Sequence, residues 1–252
     1  MLSKAITQMT NNSQIVWTIF GAISITFHLS LIFYGLVPNL VSRPLHMMFA
    51  VPWVLIFSSK NQGQRISGIF ITFFAWFSCT YIVINESTLG DQYGHLEGGL
   101  QYVVAISLLL VVLEIARRSI SWPLPLVASI ALLYGLFGHL LPGEFGHPGI
   151  PLGSFLGTLI ITEGGLWGKL TGVSVSIVAV FVIFGAVLNA GEAGHGFMNI
   201  AKAAAGHLKG GAAKVSVISS ALFGSISGSA SANVASTGAI TLPAMRKLDY
   251  PK

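Results

Sequence analysis

The chain is 252 residues long and only 8% of it is charged, against roughly 25% in an average soluble domain. Hydrophobic residues make up 53% and the mean hydropathy is +0.77. A globule this poor in charge would not stay dispersed in water, which excludes a soluble enzyme, a disordered chain and a collagen-like fibre, and leaves an all-α integral membrane protein.

The N-terminal stretch MLSKAITQMTNNSQ is too long and polar for a signal-peptide n-region. The apolar run after it, 15–37, therefore reads as a retained first span. The run 45–57 is shorter and holds Pro52; it is a kinked or tilted span, or an interfacial helix. Residues 66–84 form a clean third span and contain the lone cysteine, Cys79. With no partner for a disulfide, Cys79 reads as a small buried hydrophobe. Residues 102–116 are the fourth span, closed by Glu114, Arg117 and Arg118. Residues 122–141 are the fifth, with Pro123 and Pro125 in its first turn, where a missing N–H costs little. The sixth is 172–190. The mixed segment 191–214 suits a surface helix.

Charge supports this layout. With the N-terminus in the cytoplasm and six crossings, Lys4, Lys60, Arg65, Arg117, Arg118, Lys202, Lys209, Lys214, Arg246, Lys247 and Lys252 fall inside. Only Arg43 and Lys169 fall outside, a strong positive-inside bias. The net charge of +5 thus reflects membrane sidedness and does not point to a nucleic-acid partner. Glu114 lies three and four residues before Arg117 and Arg118, so all three share a helix face. It is either a coupling carboxylate or an interfacial ion pair, and the spacing favours the pair. The seven histidines include no i, i+4 pair of the zinc-helix kind. There is no phosphate-binding loop of an ATP-driven pump. No resident cofactor or metal is expected.

Residues 215–245 (VSVISSALFGSISGSASANVASTGAITLPAM) are too long for one ordinary span, and their middle is small and hydroxylic. Lys209 and Lys214 precede them and Arg246 and Lys247 follow, so both ends belong on one side of the membrane. Read as a re-entrant hairpin, arms 215–226 and 231–244 rise about 18 Å and 21 Å, each to roughly the middle of a ~30 Å hydrocarbon core. Broken helix ends at that depth bring carbonyls and hydroxyls that can coordinate a cation, and free N–H groups that can hold an anion. The competing reading is a tightly packed helix, because Gly224-x-x-x-Gly228 is also a packing motif.

The pattern GxISGSxxANVxxTGxxTxPxM resembles the signature of the large, DctM-like membrane subunit of TRAP (tripartite ATP-independent periplasmic) transporters. Upstream, FVIFGAVLNAGEAGHGFMNIAKAAAGHLKGGAAKVSVISSALFGSISGSA resembles the same subunit, and LLLVVLEIARRSISWPLPLVASIALLYGLFG resembles the TAXI-type permeases in which small and large subunits are joined. The resemblance runs from about residue 102 onward; the first hundred residues match in layout only. It implies about six transmembrane helices followed by one re-entrant hairpin, the first half of an inverted-repeat secondary transporter. Residues 1–118 would be the small-subunit-like bundle and 119–252 the N-terminal part of the large subunit. The implied activity is cation-coupled uptake of organic acids such as C4-dicarboxylates, across a bacterial or archaeal cytoplasmic membrane, with sodium favoured over protons. The implied partners are the lipid bilayer, a periplasmic substrate-binding protein and the remaining part of the permease, which carries a second hairpin. The implied binding residues are Ser225, Ser227, Gly228, Ser229, Ala230, Asn233 and Thr237, with a transported sodium at Ser227 and Ser229. Ser231 departs from the pattern, which usually carries an apolar β-branched residue there. The second hairpin has no counterpart in residues 1–214, so the chain is expected to be a fragment of a longer permease or a truncated product, inactive alone. Other classes remain: a non-transporting scaffold or docking subunit, and a channel lined by the Ser-rich segment.

Overall fold

The computed structural model describes residues 2–191, 193–225 and 230–250, and all regular structure among them is helical. In chain order the helices are α1 (Leu2–Phe33), α2 (Asn39–Pro52), α3 (Gln62–Ile84), α4 (Glu86–Asp91), α5 (Gly98–Ser119), α6 (Pro123–Phe137), α7 (Leu152–Ile160), α8 (Lys169–Val173), α9 (Ala179–Ala190), α10 (Ala193–Ala205), α11 (Gly211–Gly224) and α12 (Ala230–Lys247). Among the described residues six helical stretches are long and apolar enough to cross a membrane: Ser13–Phe33, Asn39–Phe57, Gln62–Ile84, Gly98–Ser119, Pro123–Leu140 and Lys169–Val187. The protein is multi-pass. The helices divide into two compact units, Met1–Val175 and Ser176–Lys252.

In the first unit, α2, α3, α5 and α7 share a core that includes Leu55, Cys79, Ile82, Leu108, Ile160 and Trp167, all fully buried. The outward faces carry large apolar side chains, such as Ile69, Phe70 and Phe73 on α3. In water that surface would be a liability; in lipid it is the solvent-facing side.

The second crossing is longer than the 45–57 run and starts at Asn39. The apolar run read from the sequence begins at residue 45, just after Arg43 and Pro44. Arg43, however, donates through Nη1 to the Trp167 carbonyl, and Pro44 is buried. Pro52 lacks the N–H that would bond the Met48 carbonyl one turn back. The Trp76 indole on α3 donates to that carbonyl instead, at 2.9 Å. After Pro52 the helix loosens to a π turn, Trp53–Phe57, in which the Ser58 N–H reaches back to the Trp53 carbonyl. The Leu55 carbonyl is thereby released from the usual ladder. It accepts from the Ser59 hydroxyl at 2.8 Å and from Arg118 Nη1 at 3.1 Å. Gly68 on α3 lies against it so closely that an added Cβ would come within 2.0 Å of that oxygen. A glycine is therefore required where α3 crosses the π turn.

In the second unit, α10 and α11 pack through Met198, Ala201, Ala205 and Val215. Their turn ends at Gly210, whose φ of +71° suits glycine. Of the segment 191–214 read as a surface helix, α10 packs on α11 through Met198, Ala201 and Ala205 while Asn199, Ile200 and Lys202 stay exposed, and residues 211–214 already belong to α11.

Candidate functional site

Helices α11 and α12 run antiparallel as a hairpin. The arms are offset from the sequence reading: the first spans Gly211–Gly224 and the second Ala230–Lys247. The offset arises at the base, where Gly210 allows α11 to start early, and at the tip, where Ser225 closes it. The Ser225 N–H bonds the Ala221 carbonyl and its hydroxyl donates to the Leu222 carbonyl at 2.7 Å.

Two hydroxyl and amide ladders of period four face one another across the hairpin. On α12 they are Asn233, Thr237 and Thr241; on α11, Ser216 and Ser220. Asn233 Nδ2 donates to the Ser220 carbonyl at 3.0 Å, and the Ser220 hydroxyl lies 3.4 Å from Asn233 Oδ1. Nearer the base, the Ser216 hydroxyl donates to Thr241 Oγ1 at 3.2 Å. Thr237 donates to the Asn233 carbonyl and Thr241 to the Thr237 carbonyl, each at 2.8 Å. Thr237, Thr241 and Ser219 are buried, so the seam is polar but closed. Each hydroxyl proton is committed, while oxygen lone pairs remain as acceptors. Gly224 leaves room for the Asn233 amide: a Cβ there would sit 3.3 Å from Nδ2.

Of the expected binding residues, Asn233 and Thr237 lie one turn apart on α12 and join through the Thr237 hydroxyl. Ala230 is the first residue of α12. Ser225 is exposed and turned back onto its own helix. Ser227, Gly228 and Ser229 lie outside the described residues. Asn233 braces the two arms. The C-terminal end of α11 and the N-terminal end of α12 flank the same short tip, and their macrodipoles place opposite partial charges there. Such a pair of ends suits a cation at the first arm and an anion at the second. Ser216, Ser220 and Thr241 were missed by sequence reasoning, although their period of four was readable.

Two further polar arrangements lie in the first unit. Glu114 accepts from Arg117 Nε at 2.6 Å and from Arg118 Nε at 2.7 Å, the ion pairing that the spacing favoured. Arg118 also reaches the carbonyls of Leu55 and Gln64 and the Ser67 hydroxyl, tying α5 to α3. The second arrangement is a hydrogen-bonded chain that local spacing does not reveal. His28 Nδ1 lies 2.7 Å from the Ser24 carbonyl, His28 Nε2 lies 2.7 Å from His46 Nδ1, and His46 Nε2 lies 3.1 Å from the Ser174 hydroxyl. A carbonyl only accepts, so His28 Nδ1 carries a proton. With both rings neutral, His46 Nδ1–H donates to His28 and Ser174 donates to His46, and every group is satisfied.

A sequence model described as "Tripartite ATP-independent periplasmic transporter, DctM component" matches residues 107–252, more than half of the chain. The chain belongs to this DctM family. The match begins inside α5 and takes in the whole hairpin. Relatives include the C4-dicarboxylate TRAP transporter large permease protein DctM of Rhodobacter capsulatus, 39% identical over 72 residues, covering 29% of this chain and 16% of the relative. The 2,3-diketo-L-gulonate TRAP transporter large permease protein YiaN of Escherichia coli is 35% identical over 80 residues, covering 31% and 19%. The Pseudomonas aeruginosa DctM is 35% identical over 72 residues, covering 29% and 17%. The matched stretches span less than a fifth of these relatives' length. No solved structure matches the chain. The DctM family is one of transporter permeases, not of enzymes.

Proposed function

We propose that the chain is part of a secondary permease that takes up organic acids together with a cation, sodium or a proton, and receives its substrate from a periplasmic binding protein. The observation that carries this reading is the DctM match over residues 107–252. The relatives' names include C4-dicarboxylate and 2,3-diketo-L-gulonate carriers, which supports an organic-acid substrate. In this reading 1–118 is a small-subunit-like bundle joined to the large-subunit part from 119 onward. The N-terminus faces the cytoplasm, as the distribution of Lys and Arg favours.

The α11–α12 hairpin is re-entrant and its tip supplies half of the cation and substrate site. Fourteen residues of α11 rise about 21 Å, short of a ~30 Å hydrocarbon core, which supports an arm ending inside the membrane. In this reading the cation takes its oxygens from the α11 C-terminal carbonyls and from Ser225, Ser227 and Ser229, the Ser225 hydroxyl offering a lone pair while its proton stays on the Leu222 carbonyl. Gly228 and Ala230 let the backbone approach it, and the first-turn N–H groups of α12 face the carboxylate of the substrate. Asn233 and Thr237 hold that geometry from below. The other half comes from a second hairpin of an inverted repeat in the whole permease.

The test is uptake. The whole permease in liposomes, supplied with its binding protein and a radiolabelled C4-dicarboxylate, is expected to accumulate label only under an inward sodium or proton gradient. Equal accumulation with no gradient would contradict the coupling.

A further inference from the structure

Where the second, third and fourth crossings end together, a pocket of about 410 Å³ opens among the π turn, the α3 N-terminus and the α5 C-terminus. Its polar lining includes Ser58, Ser59, Lys60, Arg117, Arg118 and Ser119. We propose that this pocket binds a phosphodiester anion, presented by the headgroup of an acidic phospholipid.

The charge balance of the pocket favours an anion. Lys60, Arg117 and Arg118 bring three positive charges, and Glu114 returns one negative charge. Among the described residues the Lys60 ammonium has no acidic partner, and Arg117 spends only Nε and Nη2 on Glu114. Two positive charges are left to a ligand. The N-terminus of α3, a helix of 23 residues, adds its partial positive charge at the same place. The Ser119 hydroxyl is exposed and free to donate to a phosphate oxygen.

The pocket's location favours a lipid over a free ion. Trp17 packs against Trp53 and Phe57, the two ends of the π turn, with Trp17 and Trp53 ring centres 4.8 Å apart and Trp53 and Phe57 5.0 Å apart. Arg117 lies 5.3 Å over the ring of Trp122, which is itself 66% exposed. Tryptophans so grouped at span ends sit at headgroup level. Basic pockets between spans at that level suit acidic headgroups, while acyl chains lie along the exposed apolar faces below. This inference does not depend on the transport reading.

The experiment uses the purified chain in neutral detergent, titrated with dioleoyl-phosphatidylglycerol or dioleoyl-phosphatidylcholine and read by native mass spectrometry. Phosphatidylglycerol is expected to bind several-fold more tightly. Lys60→Gln should weaken that binding roughly five-fold, the effect of one cation near a headgroup. Lys169→Gln, which removes an equal charge elsewhere, should leave it unchanged. Because Lys60 is exposed and its side chain makes no hydrogen bond or ion pair among the described residues, its variant should fold, and the thermal shift produced by phosphatidylglycerol should shrink in parallel. Equal binding of the two lipids, or equal behaviour of the two variants, would overturn the site. Displacement of the lipid by inorganic phosphate at the same concentration would overturn the lipid assignment.

Discussion

The side-chain amide of Asn233 donates to the main-chain carbonyl of Ser220 at 3.0 Å, so each arm of the hairpin holds the other about one turn below the tip. Asn233→Ala is expected to lower stability by about 1 kcal/mol, one intramolecular hydrogen bond's worth. Gly224→Ala should cost less in that background than alone, because its new Cβ would press on the amide only while the amide is present. Thermal unfolding of the four proteins in detergent closes the cycle. Strict additivity would show that Gly224 does not serve the Asn233 contact.

Glu114 is held by two arginines and is partly buried, with 21% of its side chain exposed. Glu114→Gln should cost more than the ~1 kcal/mol of an exposed pair and less than the roughly 3–5 kcal/mol of a fully buried one. In the whole permease the variant is expected to lose expression and thermal stability while keeping its cation dependence. Normal expression with lost cation dependence would make Glu114 a coupling group.

The His28–His46 contact makes a separate prediction. In His28→Phe the His46 Nδ1–H loses its acceptor inside the span, which should destabilise the first unit by about 1–3 kcal/mol. Unfolding midpoints of the variant and the parent chain measure it.

Much of this fold can be read from the chain because lipid imposes simple rules. Apolar runs gave the six spans, and Glu114 with its arginines was legible because i, i+3 and i, i+4 neighbours meet on any helix. Tertiary partners were not legible. Nothing local says that Trp76 would take the carbonyl left by Pro52, or that His28 and His46, 18 residues apart, would share a hydrogen bond. The short helix α7, whose Ile160 carbonyl accepts from the buried Trp167 indole at 2.6 Å, was passed over because nine residues are too few to stand out as a span. In the hairpin, the small polar composition pointed to the segment, but the Ser220–Asn233 clasp depends on how the arms are registered.

The re-entrant topology has its own test. With Cys79 replaced by Ala, single cysteines at Lys214 and Lys247 are expected to react with a membrane-impermeant maleimide from the same face, the cytoplasmic one. Labelling from opposite faces would mean that the segment crosses the membrane.

If the hairpin tip forms part of the cation and substrate site, substitutions there must change sodium-dependent uptake by the whole permease. Gly228→Val should abolish uptake at normal expression, because a branched side chain restricts the backbone the tip needs. Ser229→Ala should keep uptake but raise the sodium concentration for half-maximal rate several-fold, the effect of losing about 1 kcal/mol of one oxygen contact. Unchanged sodium dependence and rate in both variants would contradict the assignment.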